Sequence, residues 1–117
     1  MEQRSQDAIP HATEDFDRYE DATLLARRAG IGYVTLIDPA LRARFESLVP
    51  PPADGQPHEP LFHLLVPFRF VAGRNRTACR FEFVIGRRKL SDNGIAVRVD
   101  FCRDEARGRF FALSLAR

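Results

Sequence analysis

Arginine is the residue type in this chain that is best suited to chemistry, through contacts with phosphate or carboxylate groups. Seventeen of the eighteen basic residues are Arg, and Lys89 is the exception. The planar guanidinium group binds either kind of anion at two points, so the bias permits nucleic-acid and protein partners. Residues 60–117 carry a net charge of +7, from twelve basic and five acidic residues, whereas residues 1–59 carry −5, from six and eleven. This asymmetry predicts a basic working surface or self-complementary docking.

Eight cations are the candidate anion-binding residues, because they fall on predicted turns or on the polar face of a predicted sheet. A positive stripe of this kind suits a polyanion such as nucleic acid. The alternative is cross-strand pairing, since Glu82 and Asp100 share the same face and can neutralise neighbouring arginines. The candidates are Arg69, Arg74, Arg76, Arg80, Arg87, Arg88, Lys89 and Arg98.

Two short motifs lie among these cations. Residues 76–80 have the form RxxxR, with Arg76 and Arg80 at the ends, and Ser91 to Gly94 have the form SxxG. Together they resemble the PilZ family, which binds cyclic dinucleotides through RxxxR and a later (D/N)xSxxG. The sequence departs from that pattern at Lys89, where the family has chiefly Asp or Asn. The resemblance implies a cyclic-dinucleotide ligand as a remote alternative function.

No pattern typical of an enzyme emerges. His11, His58 and His63 lie far apart, and none has a second ligand at metal-binding spacing. We find no nucleophile elbow, no Ser–His–acid arrangement and no Gly-rich phosphate loop before a helix. The sequence therefore predicts a small protein without catalytic activity, cofactor or metal. It would act through a protein partner or by self-association, with nucleic-acid binding as the alternative.

A predicted hairpin carries several of these cations. Two aromatic and β-branched runs, Leu61–Val71 and Thr77–Ile85, are joined by Gly73–Arg76. Alternation in the first run places Leu64, Val66, Phe68 and Phe70 on one face and Arg69 on the other. In the second run Cys79, Phe81, Phe83 and Ile85 share a face, opposite Arg80, Glu82 and Val84. Pro67 favours an edge position or a bulge.

Two further runs, Ile95–Cys102 and Arg109–Ala116, complete a predicted four-stranded antiparallel meander over residues 61–116. Helices over 15–28 and 39–48 and a short strand over 31–37 are expected to cover one face, with Asp38 as the cap of the second helix. The class is α+β, with partial closure into a small barrel left open. Residues 1–14 are predicted to be a disordered tail, and residues 15–117 a single domain.

The same alternation predicts the core and the state of the cysteines. Phe68, Phe81, Phe83, Val97, Val99 and Phe101 are expected to be buried. Cys79 should point inward and Cys102 outward, which argues against a disulfide. The proline-rich stretch 50–60 should be a stiff connector. No secretory signal or membrane-spanning run is visible, so we expect a cytoplasmic protein with no membrane partner, and the Arg bias suggests a GC-rich bacterial or phage genome.

Overall fold

A computed structural model describes residues 9–12, 14–47, 61–75, 78–85 and 94–116. Within these ranges the chain forms five strands and three helices. In chain order they are β1 (Glu20–Asp21), α1 (Thr23–Arg28), β2 (Val34–Ile37), α2 (Pro39–Glu46), α3 (Phe62–Arg74), β3 (Arg80–Ile85), β4 (Ile95–Asp104) and β5 (Gly108–Leu115).

The predicted α+β class is confirmed, but the sheet differs from a four-stranded antiparallel meander. Its five strands have the order β1-β2-β5-β4-β3, and β2 runs parallel to β5. The sequence predicted that the short strand would cover a face of the sheet, whereas β2 is a strand of the sheet itself and pairs with β1 and β5. Thr35, Leu36 and Ile37 are all buried, as is usual for a strand with neighbours on both sides. The chain therefore places its last strand, β5, in the centre of the sheet.

The prediction of the first hairpin strand is wrong, because residues 62–74 form helix α3. Leu64, Leu65 and Phe68 are buried with Leu61, and this spacing of three, one and three residues is that of one helical face. Alternation and helical periodicity both fit this apolar run. The burial follows the helical stripe, since Leu65 is buried whereas Val66 and Phe70, which a strand would bury, are exposed. Pro67 lies inside the helix rather than at a sheet edge, where its missing donor removes one helical hydrogen bond.

The two predicted N-terminal helices have different outcomes. Residues 39–46 form α2, and the side chain of Asp38 accepts a hydrogen bond from the Ala40 amide, as the cap prediction required. Helix α1, by contrast, begins at Thr23 rather than near residue 15, and the preceding residues form the two-residue strand β1. The Asp21 carboxylate accepts a hydrogen bond from the Thr23 amide, which turns the chain into the helix at that point.

All three helices pack on one face of the sheet and form the main core. Leu41, Leu65 and Phe68 from the helices meet Val99 and Phe101 from the sheet. Four of the six predicted core residues, Phe68, Val97, Val99 and Phe101, are fully buried. Phe81 and Phe83, the other two, are half-buried, because β3 is an edge strand.

The opposite face of the sheet is covered in part by the segment before β1. Phe16 packs edge-on against Phe110, with ring centroids 5.5 Å apart, and Tyr19 packs against Phe16. Cys102 does lie on this face, as predicted, but the segment buries it instead of leaving it exposed. Neither Cys79 nor Cys102 forms a disulfide among the described residues. Sequence alternation identified the face and could not reveal its cover.

Residues 9–12 lie beside the end of β4. The Arg103 amide donates to the Pro10 carbonyl, the Ala12 amide donates to the Arg103 carbonyl, and Ile9 is buried in the main core. Residues 1–8, most of the predicted tail, and residues 50–60, the predicted connector, lie outside the described residues. No helix in the described ranges is both long and apolar enough to cross a membrane.

Candidate interaction surfaces

The eight candidate cations do not form one stripe in the part of the chain that the structure describes. Arg69 and Arg74 lie on α3, so their predicted place at the sheet is wrong. Arg80 and Arg98 lie on β3 and β4, on the polar face as expected. The other four candidates lie outside the described residues: Arg76, Arg87, Arg88 and Lys89.

Arg80 and Arg98 share one carboxylate on the polar face of the sheet. Arg80 stands directly across from Asp100, with Nε 2.6 Å from Oδ1, and Arg98 Nε lies 3.4 Å from the other oxygen. The hydrogen bond to Asp100 raises the pKa of Arg80. A Glu14 oxygen lies 3.9 Å from the Arg98 guanidinium. This is the cross-strand pairing that the sequence left open, and a phosphate contact by either arginine would have to compete with it.

A second paired group closes the turn between β4 and β5. Arg107 contacts an Asp104 oxygen at 2.6 Å and an Asp17 oxygen at 3.1 Å. Burial alone would raise the pKa of Asp104, but hydrogen bonds from the backbone and side chain of Arg107 outweigh it and lower that pKa. The hydrogen bond to Asp104 in turn raises the pKa of Arg107. These charges hold the turn and the N-terminal segment together.

The buried Cys102 thiol is a poor candidate for a reactive group. Burial raises the pKa of the Cys102 thiol to about 12, with the Asp100 and Asp104 carboxylates adding to the effect. A thiol with so high a pKa stays protonated at neutral pH and is a poor nucleophile. Among the described residues, no three His, Cys, Asp or Glu side chains form a group that could hold a metal ion.

The outer face of helix α3 carries the feature that sequence reasoning missed. Val66 is 41% exposed and Phe70 is 62% exposed, one helical turn apart on the side away from the core. The Arg69 guanidinium lies 5.7 Å from the centre of the Phe70 ring, and Arg74 is also exposed. Assignment of residues 61–71 to a strand placed Phe70 inward with Phe68. The signal that separates them is the helical spacing of the buried leucines.

The free edge of strand β3 is a second surface. The Phe101 amide donates to the Cys79 carbonyl, and the Ala116 amide donates to the Ala96 carbonyl. Residues of an antiparallel strand alternate in the side to which their backbone groups point. Odd-numbered residues of β3 therefore bond to β4, and Arg80, Glu82 and Val84 direct their amide and carbonyl groups to the free edge. Among the described residues β3 pairs with β4 alone.

In comparisons with known proteins, no family model, curated protein or solved structure matches the chain. Of the residues that carry the resemblance to the PilZ family, Arg76 and Ser91 lie outside the described residues. Arg80 begins strand β3 and pairs with Asp100. The cyclic-dinucleotide reading therefore stays a prediction.

Proposed function

We propose that this chain is a small non-catalytic binding protein and that the outer face of α3 is its contact surface for a protein partner. The observation that carries the proposal is the exposure of Phe70 beside Val66 on a helix whose other face fills the core. A helix with a single apolar stripe needs no large side chain on its solvent side. Exposed aromatic side chains flanked by Arg are typical of the central residues of protein interfaces.

The neighbouring arginines support a partner with acidic groups around an apolar centre. Arg69 and Arg74 are exposed on the same side of α3 as Phe70. A carboxylate on the partner would gain a two-point contact with either guanidinium as Phe70 enters an apolar pocket. This arrangement, an apolar anchor with a charged rim, is the common plan of transient interfaces.

Site-specific photocrosslinking tests the proposal in cells that produce the protein. A photoreactive phenylalanine replaces Phe70 in one variant and the exposed residue Arg109, on β5, in a matched control. We expect a discrete protein adduct from position 70 that is absent from position 109. Val66→Ser in the crosslinking chain should reduce the adduct, because it removes the apolar neighbour. Equal adducts from both positions, or none from position 70, would contradict the proposal.

Nucleic-acid binding is the second candidate, and one observation favours it. The Arg69 side chain lies against Gly30, two residues after Arg28, and the helix α1 that ends in the exposed Arg27 and Arg28 packs against α3, which carries Phe70. An aromatic ring among arginines suits a single strand, through base stacking and phosphate contacts. Binding by Arg87, Arg88 and Lys89 would add to it, and these lie outside the described residues.

Fluorescence anisotropy with single- and double-stranded DNA and RNA separates the two candidates. Nucleic-acid binding requires affinity at low salt that falls steeply as salt rises, because each neutralised phosphate releases counterions. Arg27→Ala with Arg28→Ala should then weaken binding to all sequences alike, while Arg109→Ala serves as the control. Absence of binding at low salt would exclude this candidate and leave the protein partner.

A further inference from the structure

The exposed edge of β3 has a charge pattern that is complementary to itself. Arg80 and Glu82 lie two residues apart on the polar face of the sheet, and both are exposed, although Arg80 Nε also contacts Asp100 of its own copy. In an antiparallel pair, residues directly across from each other lie on the same face. If two copies of β3 pair about a two-fold axis at Phe81, each Arg80 faces the Glu82 of the other copy. A register centred on Glu82 would instead place two carboxylates together.

The backbone has the geometry that this register needs. Arg80, Glu82 and Val84 direct their amide and carbonyl groups away from β4, as the bonds of Cys79 and Ala96 require. Arg80 of each copy and Glu82 of the other would therefore form a hydrogen-bonded pair, and the two-fold axis makes two such pairs. The two Phe81 residues would form the intervening non-hydrogen-bonded pair, where side chains approach most closely.

The apolar face gains from the same pairing. Phe81 and Phe83 are half-buried at the edge, where both rings stack against Phe68 of α3 at 6.5 and 6.1 Å. A two-fold axis perpendicular to the sheet keeps both copies of α3 on one face. The phenylalanines of the two edges would then meet under the helices and lose their remaining exposure, which is a favourable hydrophobic contribution.

Neighbouring parts of the described chain leave the edge open. Residues 10–12 bond to Arg103 of β4, beyond the point where Cys79 bonds to Phe101. They therefore lie in line with β3 and not along its outer side. The other edge strand, β1, has two residues, which is too short for a stable pairing.

We propose that the chain forms a two-fold homodimer through antiparallel pairing of β3 with β3 of a second copy, centred on Phe81. Counting the described residues alone, the joined sheet would have ten strands, from the five that each copy contributes. This surface shares no residue with the outer face of α3, so the dimer and the proposed protein partner stand or fall separately.

Charge reversal with mixing tests the register. Glu82→Arg places Arg opposite Arg80 of the second copy, and Arg80→Glu places Glu opposite Glu82. Each variant alone should dimerise about tenfold or more weakly than the unmodified chain, because two attractive pairs become repulsive. An equal mixture of the two variants restores both pairs and should form a heterodimer. Sedimentation equilibrium over a range of concentrations measures each case.

Any one of three results would overturn the proposal. The unmodified chain could stay monomeric at the highest concentration tested, the single variants could dimerise normally, or the mixture of variants could fail to associate. Glu105→Arg, the same charge change on the turn after β4, is the matched control and should leave dimerisation unchanged. Phe70→Ser should also leave it unchanged, which separates this surface from that of α3. Circular dichroism checks that each variant is folded.

Crosslinking provides a second measurement that does not depend on charge. The Cα atoms of a non-hydrogen-bonded antiparallel pair lie about 4.5 Å apart, which is within the range that a disulfide spans. Phe81→Cys in a Cys79→Ser background should therefore oxidise to a covalent dimer. Val84→Cys in the same background lies on the other face of the sheet and not opposite Val84 of the second copy. This variant should therefore stay monomeric. Failure of Phe81→Cys to crosslink, or equal crosslinking at Val84→Cys, would refute the register.

Discussion

Phe68 is a side chain through which the helical layer packs on the sheet. It is fully buried, packs edge-on against Phe111 at 5.0 Å and stacks on Phe81 and Phe83. Phe68→Ala should lower the free energy of unfolding by about 3–5 kcal/mol, through lost burial and the cavity left behind. Chemical denaturation of the folded chain measures this loss.

Phe81→Ala is the matched comparison for Phe68→Ala. Sequence alternation placed both rings in the core, and full burial would imply a loss of about 3–5 kcal/mol for Phe81 as well. Because Phe81 is half-buried on the edge strand, we now expect a clearly smaller loss in the monomer. Equal losses would mean that the edge of β3 is as well covered as the core.

Asp104 links stability to pH. Its pKa is lowered in the folded chain by the hydrogen bonds from Arg107, which outweigh the opposing effect of burial. The resulting stabilisation is fully present above the ordinary value of 3.8 and is lost as pH falls below it through the lowered value. Asp104→Asn should therefore destabilise the chain at neutral pH, with a deficit that shrinks in acid.

Urea unfolding at several pH values measures this effect. Glu105→Gln, at the next and exposed position of the turn, should leave the stability curve close to that of the unmodified chain at every pH. A deficit for Asp104→Asn that stays constant as pH falls below 3.8 would show that the carboxylate charge does not hold the turn.

At the level of elements, the turn after α1 depends on Gly30. Its φ angle is +96°, which side chains rarely adopt, and an added Cβ would lie 2.7 Å from Arg69 Nε. Gly30→Ala should lower the free energy of unfolding by about 1–2 kcal/mol, chiefly through backbone strain, since the end of the Arg69 side chain can move.

Gly32→Ala is the control, because no atom beyond its immediate chain neighbours lies within 4 Å of the added Cβ. It should have little effect or stabilise slightly, by restricting the unfolded chain. Thermal unfolding of both variants decides the comparison, and an equally mild effect at both positions would mean that the turn relaxes easily.

The sequence predicted elements well where a single pattern was present. Strands β3, β4 and β5 were identified, and the faces of β3 and β4 are correct, since charged and apolar residues alternate along these two strands. Helix α2 was identified from the Asp-Pro start and one apolar face. Helix α3 was missed because residues 62–70 satisfy both periodicities, and only the packed core distinguishes them. The outer face of α3 was missed with it, since Phe70 points to the core if these residues form a strand and to solvent if they form a helix.

At the level of the whole molecule, pairing between distant segments was beyond what the sequence could predict. Local alternation carries no information on which strands become neighbours, and β2 joins β5 across more than half of the chain. The same holds for the charges. The register of β3 and β4 places Arg80 directly across from Asp100, and Arg98 reaches the same carboxylate from two residues away on β4. A net charge summed along the sequence does not reveal that pairing.

The N-terminal segment shows the same dependence on long-range contacts and gives the last prediction. Ile9 is 1% exposed in the main core, its carbonyl accepts a hydrogen bond from Arg103 Nε, and Pro10 bonds to the Arg103 amide. Ile9→Ala should lower the free energy of unfolding by about 2–4 kcal/mol, because it leaves a cavity between the segment and the sheet. His11→Ala, at an exposed position of the same segment, should change little. Urea unfolding of both variants is the measurement. A neutral Ile9→Ala would mean that residues 9–12 contribute nothing to folding and that the stable unit begins with the aromatic segment at Phe16.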